Sequence, residues 1–323
     1  MRVVVTGGTS LLGGAVARLL HERGDDVTVF QRRPSSLGVR EVLGDITAAG
    51  SVSEAIDGAD AVIHLAARVG VVGTWPDFAA TNVAGTAAVL SASREAGASR
   101  LVYVSSPSVA HGGDPLVGAG ADPADPAGAG GHYARSKAIA EQLALGEADD
   151  HLSVVAIRPH LVWGPGDTQL IGRIVDRARS GRLALVGSGA ALIDTTYVDN
   201  AADALVAALD RAESLSGRVF VVSNGEPRPI GELVARIVSA AGLDQPRLRV
   251  PVAVARFGGR MAERWWESSG REDDPPMTEF LAEQLSTAHW FDQRETTQAL
   301  DWTPAVGLDE GFARLRAWFA SEG

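Results

Sequence analysis

The sequence predicts an α/β fold, a doubly wound parallel sheet with a smaller C-terminal substrate-binding part. Three observations carry this. Short, β-branched apolar runs alternate with helical stretches over the first half of the chain, as in repeated strand–helix–strand units. The first run, Arg2-Val3-Val4-Val5-Thr6, is short and β-branched with an unbroken apolar centre, like a strand buried on both faces. It leads directly into the turn Gly7-Gly8-Thr9-Ser10-Leu11-Leu12-Gly13-Gly14 and an amphipathic run from Ala15 to Arg23 that stops at Gly24.

Strand, glycine-rich turn and helix is the context in which a dinucleotide pyrophosphate sits on a helix N-terminus. The spacing here is Gly7, Ser10, Gly13, with serine where a glycine would let backbone approach phosphate most closely. Ser10 adds a Cβ there, though its hydroxyl can itself donate to an oxygen. Val27 to Gln31 reads as the second strand, and Gln31-Arg32-Arg33 closes it where NAD-preferring proteins carry a carboxylate for the ribose 2′-hydroxyl. A guanidinium there pairs with a 2′-phosphate instead, which points to NADP(H). Two solvated loop arginines are the plain alternative.

A third apolar piece ends at Gly44-Asp45-Ile46, where Asp45 would accept from an adenine amino group or cap the next helix. Ala61 to Ala67 is a fourth strand with small residues at its end, and its His64 reads as a packed core histidine rather than a catalyst. Trp75 to Gly97 is helical and holds Asn82, and Leu101 to Val104 delivers Ser105-Ser106-Pro107-Ser108 to the same edge. Gly112 to Gly131 reads as a long loop with almost nothing to bury, placed to cover a site. A helix from Tyr133 to about Glu147 and a strand from His151 to Arg158 follow.

Beyond Arg158 the alternation loosens. Helices are expected near 169–180, 200–212 and 230–241, strands at 183–187, 194–198 and 219–223, and a last helix from Leu308 to Ser321. In 252–266, Val254, Phe257, Met261 and Trp265 recur at helical spacing, ordinarily a core face and otherwise a lid or partner surface. Residues 1–165 with parts of 190–225 would form the dinucleotide-binding domain, and 166–190 with 226–323 the substrate part.

The most informative stretch for chemistry is His132-Tyr133-Ala134-Arg135-Ser136-Lys137. Lys137 is the only lysine, against 28 arginines among the 29 basic residues, and Tyr133 is one of three tyrosines. A helix puts i and i+4 on one face. A compact ammonium beside a phenol favours its ionised form, so the pair is expected to work as an acid/base near neutral pH.

Composition sets limits on the rest. A net charge of −11 argues against a nucleic-acid partner and against anionic lipid. The absence of cysteine removes disulfides and thiolate metal sites, and no metal site is expected. No signal peptide and no membrane span are read from the sequence, so a cytoplasmic protein is expected.

Taken together, Thr6-Gly7-x-x-Ser10-x-x-Gly13, His64-Leu65-Ala66-Ala67, Asn82, Ser105-Ser106, Tyr133-x-x-x-Lys137 and Arg158-Pro159 resemble the extended short-chain dehydrogenase/reductases, in the order of that family. The chain is similar to the 3β-hydroxysteroid dehydrogenase/isomerase group, and most to the bacterial 2-alkyl-3-oxoalkanoate reductases of olefin biosynthesis. Ser106-Pro-Ser-Val109, Leu161-Val-Trp-Gly-Pro-Gly-Asp167, Asp194-Thr-Thr-Tyr-Val-Asp-Asn200, Ser223-Asn-Gly-Glu-Pro227, Pro275-Pro-Met-Thr278 and Leu285-Ser-Thr-Ala-His-Trp290 carry that likeness. Ala110-His111 departs from nucleotide-sugar enzymes, which usually have a tyrosine there.

The resemblance implies a Rossmann fold and a catalytic set of Ser106, Tyr133 and Lys137. It also implies NADP(H) contacts from Gly7, Thr9, Ser10, Leu11, Leu12, Arg32, Arg33, Asp45, Ile46, Leu65, Ala66, Ala67, Asn82, Ser105, Tyr133, Lys137, Pro159, Leu161 and Val162. In it Tyr133 gives its proton to the substrate oxygen, Ser106 bonds the same oxygen, and Lys137 holds the ribose and lowers the phenol. The substrate implied is an apolar keto acid, and homo-oligomers or complexes with other pathway enzymes would suit so apolar a molecule. The alternatives are a sterol or 3β-hydroxysteroid dehydrogenase using NAD(P)+ and a non-catalytic NADP(H)-binding sensor.

Overall fold

Seven parallel strands form the centre of the molecule, seen in a computed structural model that describes residues 1–70, 72–111, 113–269 and 278–322. In chain order they include β1 (Arg2–Thr6), β2 (Asp26–Gln31), β3 (Arg40–Leu43), β4 (Ala61–His64) and β5 (Arg100–Val104). A short strand outside this sheet, β6 (Leu116–Ala119), precedes β7 (Ser153–Pro159), and Val219–Val222 completes the seven. The order across the sheet is Val219–Val222, β7, β5, β4, β1, β2, β3. The order reverses between β1 and β4, so a crevice opens beyond their carboxyl ends, where ligands bind in such sheets.

Period-two alternation sends each strand's side chains into two separate cores. Val3, Val5, Ile63, Val102, Val155 and Ile157 face one core, built with α1 (Leu11–Glu22) and the helix Val198–Asp210. Val4, Val62, Leu101, Tyr103, Val154 and Ala156 face the other. That side is covered by α2 (Ala49–Ile56), the later part of the Trp75–Glu95 helix and α5 (Gly131–Gly146). The Trp75–Glu95 helix has three pieces: α3 (Trp75–Phe78), a π-helical turn at Ala79–Ala84 and α4 (Gly85–Glu95). Burying one such aliphatic side chain is worth about 1.5–3 kcal/mol, so strands apolar on both faces are fixed in place.

The helix α5 is pinned by a buried ion pair. Arg158 on β7 donates from Nε to Glu141 Oε2 at 2.8 Å and from Nη2 to Oε1 at 2.5 Å, and from Nη1 to the Asp122 carbonyl at 2.7 Å. Strand, helix and the segment before the helix are thereby held in one register.

Two expectations change. The stretch between Gly112 and Gly131 is not all loop: Leu116–Ala119 pairs in parallel with His289–Phe291, joining a second sheet with Leu192–Ile193 and Arg228–Pro229. A four-residue strand containing a glycine at φ +62° carries no legible period. The apolar positions of helix Val252–Ser269 are not core: Val254, Phe257, Met261 and Trp265 are 58, 66, 49 and 54 % exposed. The helix packs instead through its small residues, since a Cβ on Gly259 would lie 2.4 Å from the Thr278 carbonyl carbon and Ala255 is buried. The stretch Pro275-Pro-Met277 lies outside the described residues.

Candidate active site

The end of β5 and the first turn of α5 meet at the carboxyl edge of the sheet. Tyr133 stands beside Ser106, whose hydroxyl hydrogen-bonds Ser108 Oγ at 3.0 Å. Lys137, one turn further along α5, is buried; its Nζ donates to the Val104 carbonyl at 2.6 Å and lies 4.2 Å from the centroid of the Tyr103 ring. Helical spacing puts Tyr133 and Lys137 on one face of α5, and the end of β5 delivers Ser106 beside Tyr133.

Their electrostatics differ from the sequence expectation. Burial pushes the Tyr133 phenol up to about 12, only partly offset by the nearby Ser106 hydroxyl. Burial also pushes the Lys137 ammonium down to about 7, against the pull of the Glu141 carboxylate. The lysine stem carries its nitrogen onto the Val104 carbonyl and the Tyr103 ring, where burial acts on the ammonium. A phenol that keeps its proton is the right state for an acid that must give one away.

Behind this trio lies a fully partnered network. The Thr6 hydroxyl accepts from the Leu65 and Ala66 amides at 3.1 and 3.0 Å, so its own proton goes to His64 Nδ1 at 2.7 Å. Nε2 of His64 then donates to Thr86 Oγ1 at 3.0 Å, and Thr86 donates to the Asn82 carbonyl at 2.7 Å. Buried and neutral, His64 is pushed down to about 3 and belongs to the core.

Asn82 departs from the expected cofactor contact. Its side chain is fully buried, accepts from the Arg68 amide (2.7 Å) and donates to the Arg68 carbonyl (3.0 Å) and to Ser136 Oγ (2.8 Å). Ser136 donates in turn to the Tyr133 carbonyl at 2.8 Å. Asn82 is a strut that fixes the Tyr133 turn, and the π-helical turn around it is a form often found at functional sites. Tyr103, Thr86 and Ser136 were not legible as site residues, although Ser136 sits inside the Tyr133–Lys137 motif.

The glycine turn fits a dinucleotide. Gly7 has φ +79°, and a Cβ on it would lie 3.1 Å from the Ala66 amide nitrogen, so the β1 turn closes onto the β4 turn. A Cβ on Gly13 would lie 2.3 Å from the Gly7 carbonyl oxygen. In the first turn of α1 the Leu11 and Leu12 amides have no partner within the helix, and no acidic residue neutralises that end. Such a helix end binds phosphate.

Buried Ser105 Oγ and Gln31 Oε1 lack partners among the described residues, as expected of atoms kept for a ligand. Ser10 differs from expectation: its hydroxyl caps α1, accepting from Gly13 N at 3.0 Å and donating to Gly7 O at 2.8 Å, and so is already engaged. Thr9 beside it is exposed.

At the adenosine end Arg32 and Arg33 are exposed and, among the described residues, unpaired. Asp45 does not cap α2. It forms a local turn, accepting from Thr47 N and Oγ1 at 2.9 and 2.7 Å, and these bonds with the nearby Arg32 hold its carboxyl below the usual range. Ile46 is core, packed against Gly85, which leaves its backbone for a ligand. Leu65, Ala66 and Ala67 stay half-buried at the end of β4. After Pro159, Leu161 has φ +44°, one of two non-glycine residues at positive φ among those described. Such strain costs on the order of 1–3 kcal/mol and clusters at functional sites; Val162 follows it, half-buried.

Next to Ser106 three histidines meet. The ring of His111 lies 5.6 Å from that of His289, and His289 lies 6.2 Å from His160, which also packs edge-on against Phe291 at 5.0 Å. His160 Nδ1 donates to the Asp194 carbonyl at 2.5 Å. Burial pushes His160 down to about 3 and His289 to about 4, and lowers His111. All three are neutral imidazoles at pH 7. Among the described residues no group of His, Asp or Glu is placed to hold a metal ion.

The comparisons agree with this geometry. The family profile described as "NAD dependent epimerase/dehydratase family" matches residues 3–223. The chain is 41% identical over 327 residues to the 2-alkyl-3-oxoalkanoate reductase of Stenotrophomonas maltophilia (strain K279a), covering 98% of this chain and 99% of that one. It is 35% identical to the 2-alkyl-3-oxoalkanoate reductase of Shewanella oneidensis, covering 97% and 85%. Among solved structures, MoeE5 in complex with UDP-glucose and NAD superposes with a TM-score of 0.78 at 26% identity, covering 100% of this chain and 99% of that one. The chain is thus an oxidoreductase and belongs to the NAD-dependent epimerase/dehydratase family of extended short-chain dehydrogenase/reductases.

Proposed function

We propose that this protein reduces the 3-oxo group of a 2-alkyl-3-oxoalkanoic acid to the 3-hydroxy acid, with NADPH as donor, as a step in long-chain hydrocarbon synthesis. The observation that carries the reading is the meeting of Ser106, Tyr133 and buried Lys137 at one strand end, in a chain alike end to end with reductases of that name. The reduced nicotinamide, when bound, supplies hydride to the carbonyl carbon. Tyr133 Oη holds a proton, and the carbonyl oxygen takes it as its π electrons move onto oxygen. Ser106 bonds the same oxygen, stabilising the charge that develops there.

Unpaired Arg32 and Arg33, with no carboxylate at Gln31, support NADPH over NADH. In this reading residues 166–190 and 226–323 supply most of the substrate side.

The test is consumption of NADPH by the purified protein with a 2-alkyl-3-oxo acid, with a 3β-hydroxysteroid and NAD(P)+ as the rival pair. Tyr133→Phe should lower kcat by on the order of 10²–10⁴ while NADPH still binds. Full turnover in that variant would remove the mechanism, and turnover of the steroid alone would replace the substrate.

A further inference from the structure

The three histidines are not used by the chemistry just described, yet they lie on its edge. His111 follows Ser106 by a single 3₁₀ turn, Pro107–Ala110, and His160 follows Pro159 at the end of the neighbouring strand β7. A four-residue 3₁₀ turn advances the chain by about 8 Å. His289 comes from the second sheet and closes the group from the far side.

The bonding state of each ring singles out one of them. His160 is committed through Nδ1 to the Asp194 carbonyl. Thr287 gives its proton to the Glu283 carbonyl and so accepts from His289 Nε2 at 3.1 Å. His111 Nδ1 alone in the trio is a buried nitrogen without a partner. A buried polar atom left unmatched costs about 1–3 kcal/mol.

Of the charged groups around the trio, only the Asp114 carboxylate acts on His111, opposing the drop that burial causes, and it makes no hydrogen bond to the ring. Asp194 accepts from Ser223 Oγ at 2.6 Å and from the Gly225 and Glu226 amides at 3.1 and 3.2 Å. Glu283, beside Gly113, is paired with Arg256 at 2.7 Å, and Asp114 is exposed. Among the described residues no carboxylate takes up the His111 nitrogen.

We infer that His111, backed by His289, receives the carboxylate of the substrate and so sets the preference for 3-oxo acids over ketones without one. The inference rests on the proposed reductase reading and names the residue that recognises its substrate class. His111 Nδ1 is the hydrogen-bond donor, and the carboxylate supplies the missing acceptor. A hydrogen bond to a charged group contributes roughly 1.5–3 kcal/mol, or roughly ten- to a hundredfold in specificity.

The test runs in the oxidative direction with NADP+, because a 3-oxo acid loses carbon dioxide on standing. The substrates are a 2-alkyl-3-hydroxy acid and its methyl ester. Wild-type enzyme should prefer the acid at least about tenfold in kcat/KM. His111→Phe should collapse that preference to within about twofold, through KM rather than kcat, and His111→Asn, which keeps a donor near Nδ1, should restore part of it. NADPH binding by each variant reports an intact dinucleotide site. A wild-type ratio near one overturns the inference whatever the variants do, and so does a ratio that His111→Phe leaves in place; either result leaves the reductase reading standing. Oxidation of neither compound, together with no reduction of the 3-oxo acid, removes the reading and the inference with it.

Discussion

Two walls of the same crevice are built on opposite terms. On the dinucleotide side Thr6, His64, Thr86, Asn82 and Ser136 form a chain in which every proton has an acceptor. On the substrate side three neutral imidazoles from distant segments lie ring against ring, and one buried nitrogen has nothing to bond. A satisfied buried network rigidifies the structure around it. A polar atom left unmatched lowers stability and waits for a ligand. The reacting groups are held by this bonded chain, and unpaired atoms mark the ligand contacts on both walls, Ser105 Oγ and Gln31 Oε1 on one and His111 Nδ1 on the other.

The largest effect should come from the satisfied wall. Glu141→Ala leaves Arg158 charged, buried and without its partner, which is expected to cost about 3–5 kcal/mol of unfolding free energy. Urea unfolding would measure it. A loss under about 1 kcal/mol would mean that α5 is not pinned as described.

Asp194 sharpens the contrast through pH. Burial raises its carboxyl to about 6, against an ordinary value near 3.8. The folded protein therefore holds this proton more tightly than the unfolded chain does. The stability so gained is complete below about pH 4 and is lost as pH rises through about 6. Relative to Asp194→Asn, wild type should lose roughly 2–3 kcal/mol between pH 4 and pH 7. Parallel pH profiles of the two proteins would refute this.

At the exposed rim the expected effect is smaller. Arg32→Ala with Arg33→Ala should raise KM for NADPH by roughly tenfold and leave that for NADH within about twofold. An equal change for both dinucleotides would break the link to a 2′-phosphate. The smallest effect belongs to the unsatisfied wall. His111→Phe removes a buried nitrogen without a partner, so stability should stay within about 1 kcal/mol of wild type or rise. A loss of 2 kcal/mol or more would show that His111 holds the fold together after all.

The sheet was largely legible because each strand is a short apolar run whose residues divide between two cores, and the glycine turn follows the first of them. The Tyr133–Lys137 pair was legible because helical spacing brings i and i+4 together whatever the surroundings. The state of that pair was not. A sequence places the lysine near the phenol but does not show the Val104 carbonyl and the Tyr103 ring that take its ammonium. Burial then moved the phenol in the opposite direction from the one expected. Asn82 was legible as a site residue but not as a strut, because its partners, Arg68 and Ser136, lie 14 and 54 positions away.

By itself, then, the sequence determined what local periodicity and spacing can encode: strands, helices, the glycine turn, and which residues bear the chemistry. Tertiary structure alone decided what depends on long-range contact and on dielectric surroundings. It set the exposed stripe at Val254, Phe257, Met261 and Trp265, the protonation of Tyr133 and Lys137, and the meeting of His111, His160 and His289. Burial is a property of the packed whole, and a charge takes its energy from everything around it rather than from its neighbours in the chain.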